Sequence, residues 1–539
     1  MSLPAADVPA VGVALIRPPA FHVLGNLSYF GAIPPIGLAY VAAVLRDAGH
    51  RVQVVDGSGE RQQQAEKMSD ACPGLYRFGL SPAQIVGRLA PDTEVVGITN
   101  MFGHEWPTVR DIAERARTRF PNAFIVLGGE NATACWETLL EECPAIDACV
   151  LGEGEHTVLE LVARVRLGLP LDGLRGVAVR GGGAPASLPQ RLTRLDAIPR
   201  PAWDLFPMEH YFRAHDAFGV HRGRSIPVLA TRGCPFQCTF CSSPSMWTTR
   251  YVTRPPADVV DEICAYVERY GIENVDFCDL TAIVKRDWIL EFCRLLEERG
   301  IRITWQLPVG TRSEALDADV LQALYQTGCR NVTYAPESGS PRLLEIMKKR
   351  IRLPRLLESV SAAVKIGLVV RLSIILGHPE ERRADVWETA KLLVRTAWMG
   401  CQDVSVLIFA PYPGSEDYRA LRSSGSLPRS PEDDYVALVR SGRSARSFNK
   451  VMGLREILLL QWTMLIAFYV VACVRNPLRL VHFLRSLVTG RETTHLEQLV
   501  RTKVGHMQRA LTSSFDSRNG KVEGQRDSRE PALPSERRS

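Results

Sequence analysis

The sequence predicts an α/β protein made of an N-terminal Rossmann-like domain, a partial (β/α)6 barrel and a C-terminal helical region. Two series of short apolar runs alternate with longer amphipathic segments, and a glycine- and proline-rich segment separates the two series. A long apolar segment near the C-terminus indicates the helical region. The predicted parts are a flexible N-terminus (1–11), the first domain (12–166), a linker (167–225), the barrel (226–425), the helical region (426–506) and a disordered tail (507–539).

The first series begins with the apolar strand Val13–Ile16 and a helix at Gly37–Ala48. Its later strands are Val52–Asp56, Val95–Thr99, Phe124–Leu127 and Ala148–Leu151. Strands that alternate with helices form a parallel, doubly wound sheet. Ligands of such sheets bind at the carboxyl ends of the strands.

The second series runs from Ile226 to about Leu421. Its six strands are Val228–Ala230, Asn274–Asp279, Ile303–Leu307, Asn331–Ala335, Val369–Ile375 and Asp403–Phe409. Six βα units fit an incomplete barrel, which leaves a lateral opening for a substrate.

An apolar segment at Ile457–Val474 lies at the lower length limit for crossing a bilayer. Gln461 and Thr463 interrupt it, and a second helix follows at Leu478–Val488. We expect a buried or membrane-surface helix pair rather than a true span.

Composition excludes some classes of function and compartment. The net charge of +6 over 539 residues gives no reason to expect a nucleic-acid partner. Thirteen cysteines without an N-terminal secretory segment indicate a reducing cytoplasm rather than a disulfide framework. We therefore expect a cytoplasmic protein, with peripheral membrane contact through the C-terminal helices left open.

Three cysteines follow the first barrel strand in a Cys-x3-Cys-x2-Cys run: Cys234, Cys238 and Cys241. A four-iron cluster needs four ligands, so three thiolates on one loop leave one iron free to bind a small molecule. A structural zinc site usually has four Cys or His ligands, and no second pair at finger spacing is nearby. The run therefore predicts a catalytic [4Fe-4S] cluster held by these three residues.

The spacing, with Phe240 before the third cysteine, resembles the radical S-adenosylmethionine (SAM) superfamily. The resemblance implies that the open iron chelates the amino and carboxylate groups of SAM. One electron from the cluster then cleaves SAM to methionine and a 5′-deoxyadenosyl radical. It also implies an electron donor of the flavodoxin or ferredoxin type.

Later strand ends are predicted to complete the SAM pocket. Glu337 can take the ribose hydroxyls or the SAM ammonium group. The run from Ser373 to Glu380 resembles the superfamily signature Gly-x-Ile-x-Gly-x-x-Glu, with Ser373 in place of the first glycine. On this basis Ile375 packs on adenine and Glu380 braces the turn, although either glutamate alone could be a solvated loop residue. The predicted cofactor-binding residues here are Phe240, Glu337, Ser338, Ser373, Ile375 and Gly377.

Two further polar residues are predicted to point to the same barrel mouth. Asp279 follows the second strand, and Gln306 lies in the third. Either residue could contact SAM or substrate, or cap the next helix. We predict a catalytic role for Asp279 and cofactor binding for Gln306.

The first domain lacks a Gly-x-Gly-x-x-Gly run after its first strand, so a nicotinamide site is not expected. The order of motifs resembles the cobalamin-binding radical SAM family over most of the chain. That family carries a Gly-Gly turn and a Gly-Glu-Gly-Glu element, matched here by Gly128-Gly129 and Gly152–Glu155. The resemblance implies a cobalamin site that includes Thr99, Gly128, Gly129, Asn131 and Glu153.

The chain departs from the corrinoid pattern Asp-x-His-x-x-Gly. His22 to Gly25 keeps His-x-x-Gly, but Ala20 stands where an aspartate would orient the imidazole. Asn131 falls where relatives often have histidine. We therefore expect cobalamin to bind with no histidine ligand to cobalt.

The resemblance implies a cobalamin-dependent radical SAM C-methyltransferase that acts on an unactivated carbon. Its substrate would be a hydrophobic or carrier-bound small molecule in secondary-metabolite or lipid biosynthesis. The alternative is a cyclase or ring-rearranging oxidoreductase that uses both cofactors without methyl transfer. A non-enzymatic sensor is a third reading, but no output domain is recognisable.

Overall fold

The computed structural model describes residues 9–23, 33–60, 65–67, 75–182, 185, 191–214, 218–427, 446–490 and 492–501. The predicted tail (507–539) lies outside these residues, as do 1–8 of the predicted flexible N-terminus and 428–445 of the predicted helical region. Within the described residues, helices and strands alternate in two series, as the sequence predicts.

The strands are β1 (Gly12–Arg17), β2 (Ala20–Val23), β3 (Arg51–Asp56), β4 (Ala65–Lys67), β5 (Leu75–Phe78), β6 (Val95–Thr99), β7 (Phe124–Gly128), β8 (Ala148–Val150), β9 (Val177–Val179), β10 (Ser225–Val228), β11 (Thr231–Arg232), β12 (Val252–Thr253), β13 (Asn274–Phe277), β14 (Thr304–Thr311), β15 (Cys329–Glu337), β16 (Val369–Leu376) and β17 (Asp403–Ile408).

The α-helices are α1 (Ile36–Asp47), α2 (Pro82–Gly87), α3 (Trp106–Arg119), α4 (Glu130–Glu142), α5 (Glu155–Arg166), α6 (Met208–Ala214), α7 (Ser243–Trp247), α8 (Pro256–Tyr270), α9 (Arg286–Glu298), α10 (Ala318–Gln326), α11 (Pro341–Ile346), α12 (Leu353–Ile366), α13 (Arg383–Met399), α14 (Glu416–Ser423), α15 (Leu454–Arg475) and α16 (Leu478–Thr489).

The N-terminal sheet has the strand order β3-β1-β6-β7-β8-β9, and all pairs are parallel except β8 with β9. Both faces of β1 are apolar, because Val13 and Leu15 join the core that contains α1 and α5, whereas Ala14 and Ile16 join the core that contains α2 and α3. The strand order reverses between β1 and β6. This reversal opens a crevice at their carboxyl ends, where ligands of such sheets bind.

The predicted incomplete barrel is confirmed. Six parallel strands lie in the order β10-β13-β14-β15-β16-β17, with β10 and β17 at the edges. At the amino end, the segment that precedes β10 covers the barrel interior, since Asp276 accepts a hydrogen bond from Phe218 N at 2.9 Å. This segment therefore closes the amino end of the barrel.

The segment predicted as a linker also contributes secondary structure. β9 completes the edge of the N-terminal sheet by pairing with β8, and α6 packs on the same core through Tyr211. The domain boundary at 166 stays a prediction.

Helix α15 packs along α13 and β17, the edge strand of the barrel. Its buried residues recur every three or four positions: Ile457, Gln461, Met464, Phe468 and Ala472. Among the described residues, α15 is the one helix long and apolar enough to cross a membrane, and 28% of its most apolar window is buried.

Candidate active site

The three cysteines lie on the loop after β11, at the carboxyl end of the first barrel strand. Cys234, Cys238 and Cys241 are free thiols and are partly buried. The loop begins at Gly233, whose φ of +86° suits glycine, and a Cβ there would lie 2.1 Å from Arg250 O. The backbone is thus folded tightly just before the first sulfur.

The arrangement of the three thiols is compatible with an iron–sulfur cluster. In the described part of the chain, no three His, Cys, Asp or Glu side chains converge as the ligands of one metal ion do. A cluster does not need that convergence, because each thiolate binds a different iron. Burial raises the pKa of Cys238, and raises that of Cys241 to about 12. Iron bound to these sulfurs would favour their thiolate forms.

Asp279 lies at the entry to the cysteine loop. Its carboxylate accepts hydrogen bonds from Thr231 Oγ1 at 2.5 Å and Ala230 N at 3.3 Å. Burial raises the pKa of Asp279 to about 6, although these hydrogen bonds lower it. In this position Asp279 fixes the backbone that leads to Cys234.

Gln306 lies near the amino end of β14, so the expectation that it points to the barrel mouth is corrected. Its Oε1 accepts from Val220 N at 3.0 Å, and its Nε2 donates to Val220 O at 2.7 Å. These bonds hold the segment that covers the amino end of the barrel. A contact with SAM would require both of them to break.

Glu337 ends β15 with a φ of +68° and forms an ion pair that the sequence did not indicate. Its Oε1 lies 3.0 Å from Lys349 Nζ, and both side chains are about one-tenth exposed. Lys349 Nζ is 5.8 Å from the Phe240 ring centre. Burial raises the pKa of Cys238, and the positive charge of Lys349 partly offsets this effect. A carboxylate and an ammonium group side by side are complementary to the charged end of a free amino acid.

Two predicted pocket residues on neighbouring elements come together. Ile375 of β16 and Phe240 of the cysteine loop pack on the same apolar cluster, which contains Phe409 and Phe448. Ser373 is partly buried on the same strand. Ser338 is fully buried, and its hydroxyl is 3.1 Å from Thr389 Oγ1, so it holds α13 rather than facing the pocket.

The turn after β16 is braced by Glu381, so the expectation that Glu380 does this is wrong. Gly377 N, with φ at +87°, donates to the Glu381 carboxylate. Burial raises the pKa of Glu381 to about 7. The side chain of Glu380 is 43% exposed and pairs with Lys450. Glu381 takes this role instead of Glu380 because the positive φ of Gly377 directs its N–H toward the Glu381 carboxylate.

A hydrogen-bonded chain ties the cysteine loop to this turn. Asp417 accepts from Thr239 Oγ1 at 3.0 Å and lies 3.1 Å from His378 Nε2. Nothing in the sequence marks Asp417 as a partner of His378, because acidic residues are common in the first turn of a helix, where they interact favourably with the helix dipole.

The carboxyl edge of the N-terminal sheet forms a cradle of glycine and amide groups. Gly129 has a φ of +110°, and a Cβ there would lie 2.7 Å from Asn100 O. Asn131 Nδ2 donates to Asn100 Oδ1 at 2.7 Å, whereas the buried Asn131 Oδ1 has no protein partner. Thr99 pairs with Gly128 at the strand ends. An unpartnered buried oxygen and open space over Gly128 fit a polar ligand such as the cobalamin tail. The side chain of His22 lies outside the described residues.

Glu153 is engaged by two arginines. Arg191 Nε lies 2.7 Å from its carboxylate, and Arg232 lies 3.3 Å away. Arg232 also contacts Glu155 at 2.6 Å, and all four side chains are at least nine-tenths buried. Since Arg232 stands two residues before Cys234, this network joins the N-terminal sheet to the cysteine loop. A contact between Glu153 and cobalamin would compete with these ion pairs.

Two further contacts hold the carboxyl edge of the N-terminal sheet against the cysteine loop. Ser242, the residue after Cys241, donates to the Glu130 carboxylate at the start of α4. Thr133 Oγ1 lies 3.3 Å from Met246 Sδ of α7. The two predicted cofactor sites therefore face one another.

Comparison with known proteins identifies the family of this chain. The sequence matches the Radical SAM superfamily over residues 228–393 and the B12 binding domain over residues 24–162. It is 32% identical to an uncharacterized methyltransferase, PH0819, of Pyrococcus horikoshii, across 71% of this chain and 77% of that protein. It is 30% identical to cytidylyl-2-hydroxyethylphosphonate methyltransferase of Streptomyces wedmorensis, across 68% of this chain and 73% of that protein.

Among solved structures, the fold is similar to that of a radical SAM methyltransferase, TsrM, of Kitasatospora setae, determined with cobalamin and a [4Fe-4S] cluster bound. The TM-score is 0.62 at 17% sequence identity, and the match covers 85% of this chain and 91% of that one.

Proposed function

Since this chain belongs to the cobalamin-binding radical SAM enzymes, with a [4Fe-4S] cluster, SAM and cobalamin as cofactors, we propose that it is a C-methyltransferase acting on an unactivated carbon. Its proposed substrate is a hydrophobic or carrier-bound intermediate of secondary-metabolite or lipid biosynthesis. When bound, the cluster and cobalamin supply the electron that cleaves SAM and the methyl group that is transferred.

The observation that carries this proposal is the position of the cysteine loop against the carboxyl edge of the N-terminal sheet. The Ser242–Glu130 and Thr133–Met246 contacts hold the cysteine loop against this edge of the sheet. A carbon activated at one site can then receive a methyl group from the other without moving to a separate part of the protein. Fixed proximity of this kind removes much of the entropic cost of a multi-component reaction.

We assign the residues of the cavity positioning and binding roles. The Glu337–Lys349 pair would hold the charged amino-acid end of SAM, and Ile375 with Phe240 would flank its adenine. Asp279 would fix the entry to the cysteine loop, with its buried carboxyl as the group available for proton exchange. The residues proposed for cobalamin are Thr99, Gly128, Gly129 and Asn131.

We propose that the electron comes from a flavodoxin- or ferredoxin-type protein. A cleft of about 640 Å³ beside the cysteine loop contains Phe236. Its lining carries more basic than acidic side chains, with arginines at Arg286, Arg312, Arg350 and Arg352. A basic rim complements the acidic surface of such donors. We also propose that the enzyme is cytoplasmic and contacts a membrane through its C-terminal helices.

Anaerobic reconstitution with iron, sulfide and hydroxocobalamin, followed by mass spectrometry of the SAM products, tests the reaction. With hydrophobic substrates, we expect S-adenosylhomocysteine and 5′-deoxyadenosine to form together. Cys238→Ala should abolish 5′-deoxyadenosine, whereas Cys264→Ala, on a helix outside the loop, should not. Substrate conversion with 5′-deoxyadenosine but without S-adenosylhomocysteine would indicate a cyclase or ring rearrangement and refute methyl transfer.

A further inference from the structure

A large apolar surface covers the C-terminal helices and the helix beside them. On the packed helices α13, α15 and α16, large hydrophobic side chains are between 39% and 87% exposed. These residues, the apolar face, are Trp387, Val394, Trp398, Leu459, Trp462, Ile466, Val470, Val474, Leu478, Leu480, Val481, Leu484, Leu487 and Val488. Contiguous exposure on this scale marks an interaction surface.

Helix α16 shows that the apolar side is the outer side. Arg479 donates to Cys401 O at 3.1 Å, and Ser486 is the buried residue of the helix. Leu484 and Val488 are 56% and 87% exposed on the opposite side. An amphipathic helix in water buries its apolar side, so this orientation indicates that a partner or an apolar phase covers that side.

The charged residues around the apolar face indicate that a lipid bilayer covers it. No aspartate or glutamate occurs from Ile457 to Arg491, whereas the exposed Arg475 and Arg485 lie in this stretch. Basic residues beside an apolar helix face complement anionic lipid headgroups. Trp387, Trp398 and Trp462 are at least half exposed, and tryptophan is enriched at the membrane–water boundary.

The opposite side of α15 excludes a transmembrane orientation. Gln461 Nε2 donates to Val406 O at 2.7 Å, and Tyr469 donates to Asp403 at 2.6 Å. Phe468 is fully buried against the barrel. Moving α15 across a bilayer would break these contacts and put their polar partners in lipid.

We propose that the apolar face lies on an anionic phospholipid bilayer, with α15 and α16 parallel to the membrane plane. This inference rests on the proposed function, which includes membrane contact through the C-terminal helices, and it names the kind of membrane. It also supplies a source for a hydrophobic substrate, which would reach the enzyme from the lipid phase.

Co-sedimentation of the reconstituted enzyme with vesicles tests the proposal. We expect binding to vesicles that contain phosphatidylglycerol and at least tenfold weaker binding to pure phosphatidylcholine. Trp462→Asp with Leu484→Asp should reduce binding at least tenfold. The matched control, Leu167→Asp with Leu169→Asp, replaces two exposed leucines at the end of α5 and should bind normally. Equal binding of both double variants would overturn the proposal.

A second measurement does not depend on any variant. Brominated acyl chains should quench the tryptophan fluorescence of the wild-type enzyme, because three tryptophans lie in the apolar face. Absence of quenching would overturn the proposal. A dimer that the Trp462/Leu484 substitutions dissociate, without any vesicle binding, would show that a second copy covers the face instead. Resistance of the bound enzyme to alkaline extraction would indicate a span. 5′-Deoxyadenosine formation in the same samples separates a failure of docking from a failure of the proposed chemistry.

Discussion

Replacing Arg232 by methionine tests how the N-terminal sheet and the cysteine loop are held together. Its side chain is 5% exposed and lies 2.6 Å from Glu155 and 3.3 Å from Glu153. In the variant, Arg191 still neutralises Glu153 at 2.7 Å, so Glu155 is the carboxylate left buried without a cation. Breaking a buried ion pair from one side costs about 3–5 kcal/mol. We expect that loss in the free energy of unfolding measured by urea denaturation.

Two controls separate the buried charge from the loss of a side chain. Arg232→Met with Glu155→Met removes both charges and should recover most of the stability, because apolar pairs often replace buried ion pairs without loss. Arg294→Met breaks an exposed pair with Glu291 and should cause no resolvable change. If Arg232→Met unfolds no more easily than Arg294→Met, the network does not hold the two parts together.

Three further substitutions address the turn, the cradle and the cofactor pair. Burial raises the pKa of Glu381 from 4.5 to about 7, so the folded state holds a proton that the unfolded chain releases as pH rises. Relative to Glu381→Gln, the free energy of unfolding should therefore fall by about 3 kcal/mol between pH 4.5 and 7. A difference between the two proteins that does not change with pH would contradict this. Gly129→Ala places a Cβ 2.7 Å from a carbonyl oxygen at positive φ and should cost about 1–3 kcal/mol, whereas Gly128→Ala enters open space and should leave the melting temperature unchanged. Lys349→Met should lower 5′-deoxyadenosine formation at least tenfold at unchanged iron content, because it removes the buried partner of Glu337. Lys348→Met, which removes an exposed ion pair with Glu416, should not. Equal effects of the two substitutions would reject the role of Lys349 in binding SAM.

The sequence predicted features that depend on neighbours along the chain. Alternating apolar runs predict both sheets, because the period of a strand is local, and the cysteine triplet predicts a loop after β10 for the same reason. The partners of Lys349 and Arg232 were missed, since each pairing joins elements distant in sequence. Lys349 lies in a basic run, which alone suggests a solvated surface. Glu381 was missed by one residue, because the conformation of Gly377 decides which carboxylate meets its N–H.

The contacts between the two parts also restrict how a substrate enters. Separating the N-terminal sheet from the cysteine loop would expose the Arg232–Glu155 pair and break the Ser242–Glu130 hydrogen bond. Entry through the open edge of the barrel breaks neither. One of the two edge strands is β17, and α15 packs against it with the apolar face on its outer side. A bilayer under the apolar face would therefore lie close to the barrel edge at β17, so a hydrophobic substrate could leave the lipid there without separating the two cofactor sites.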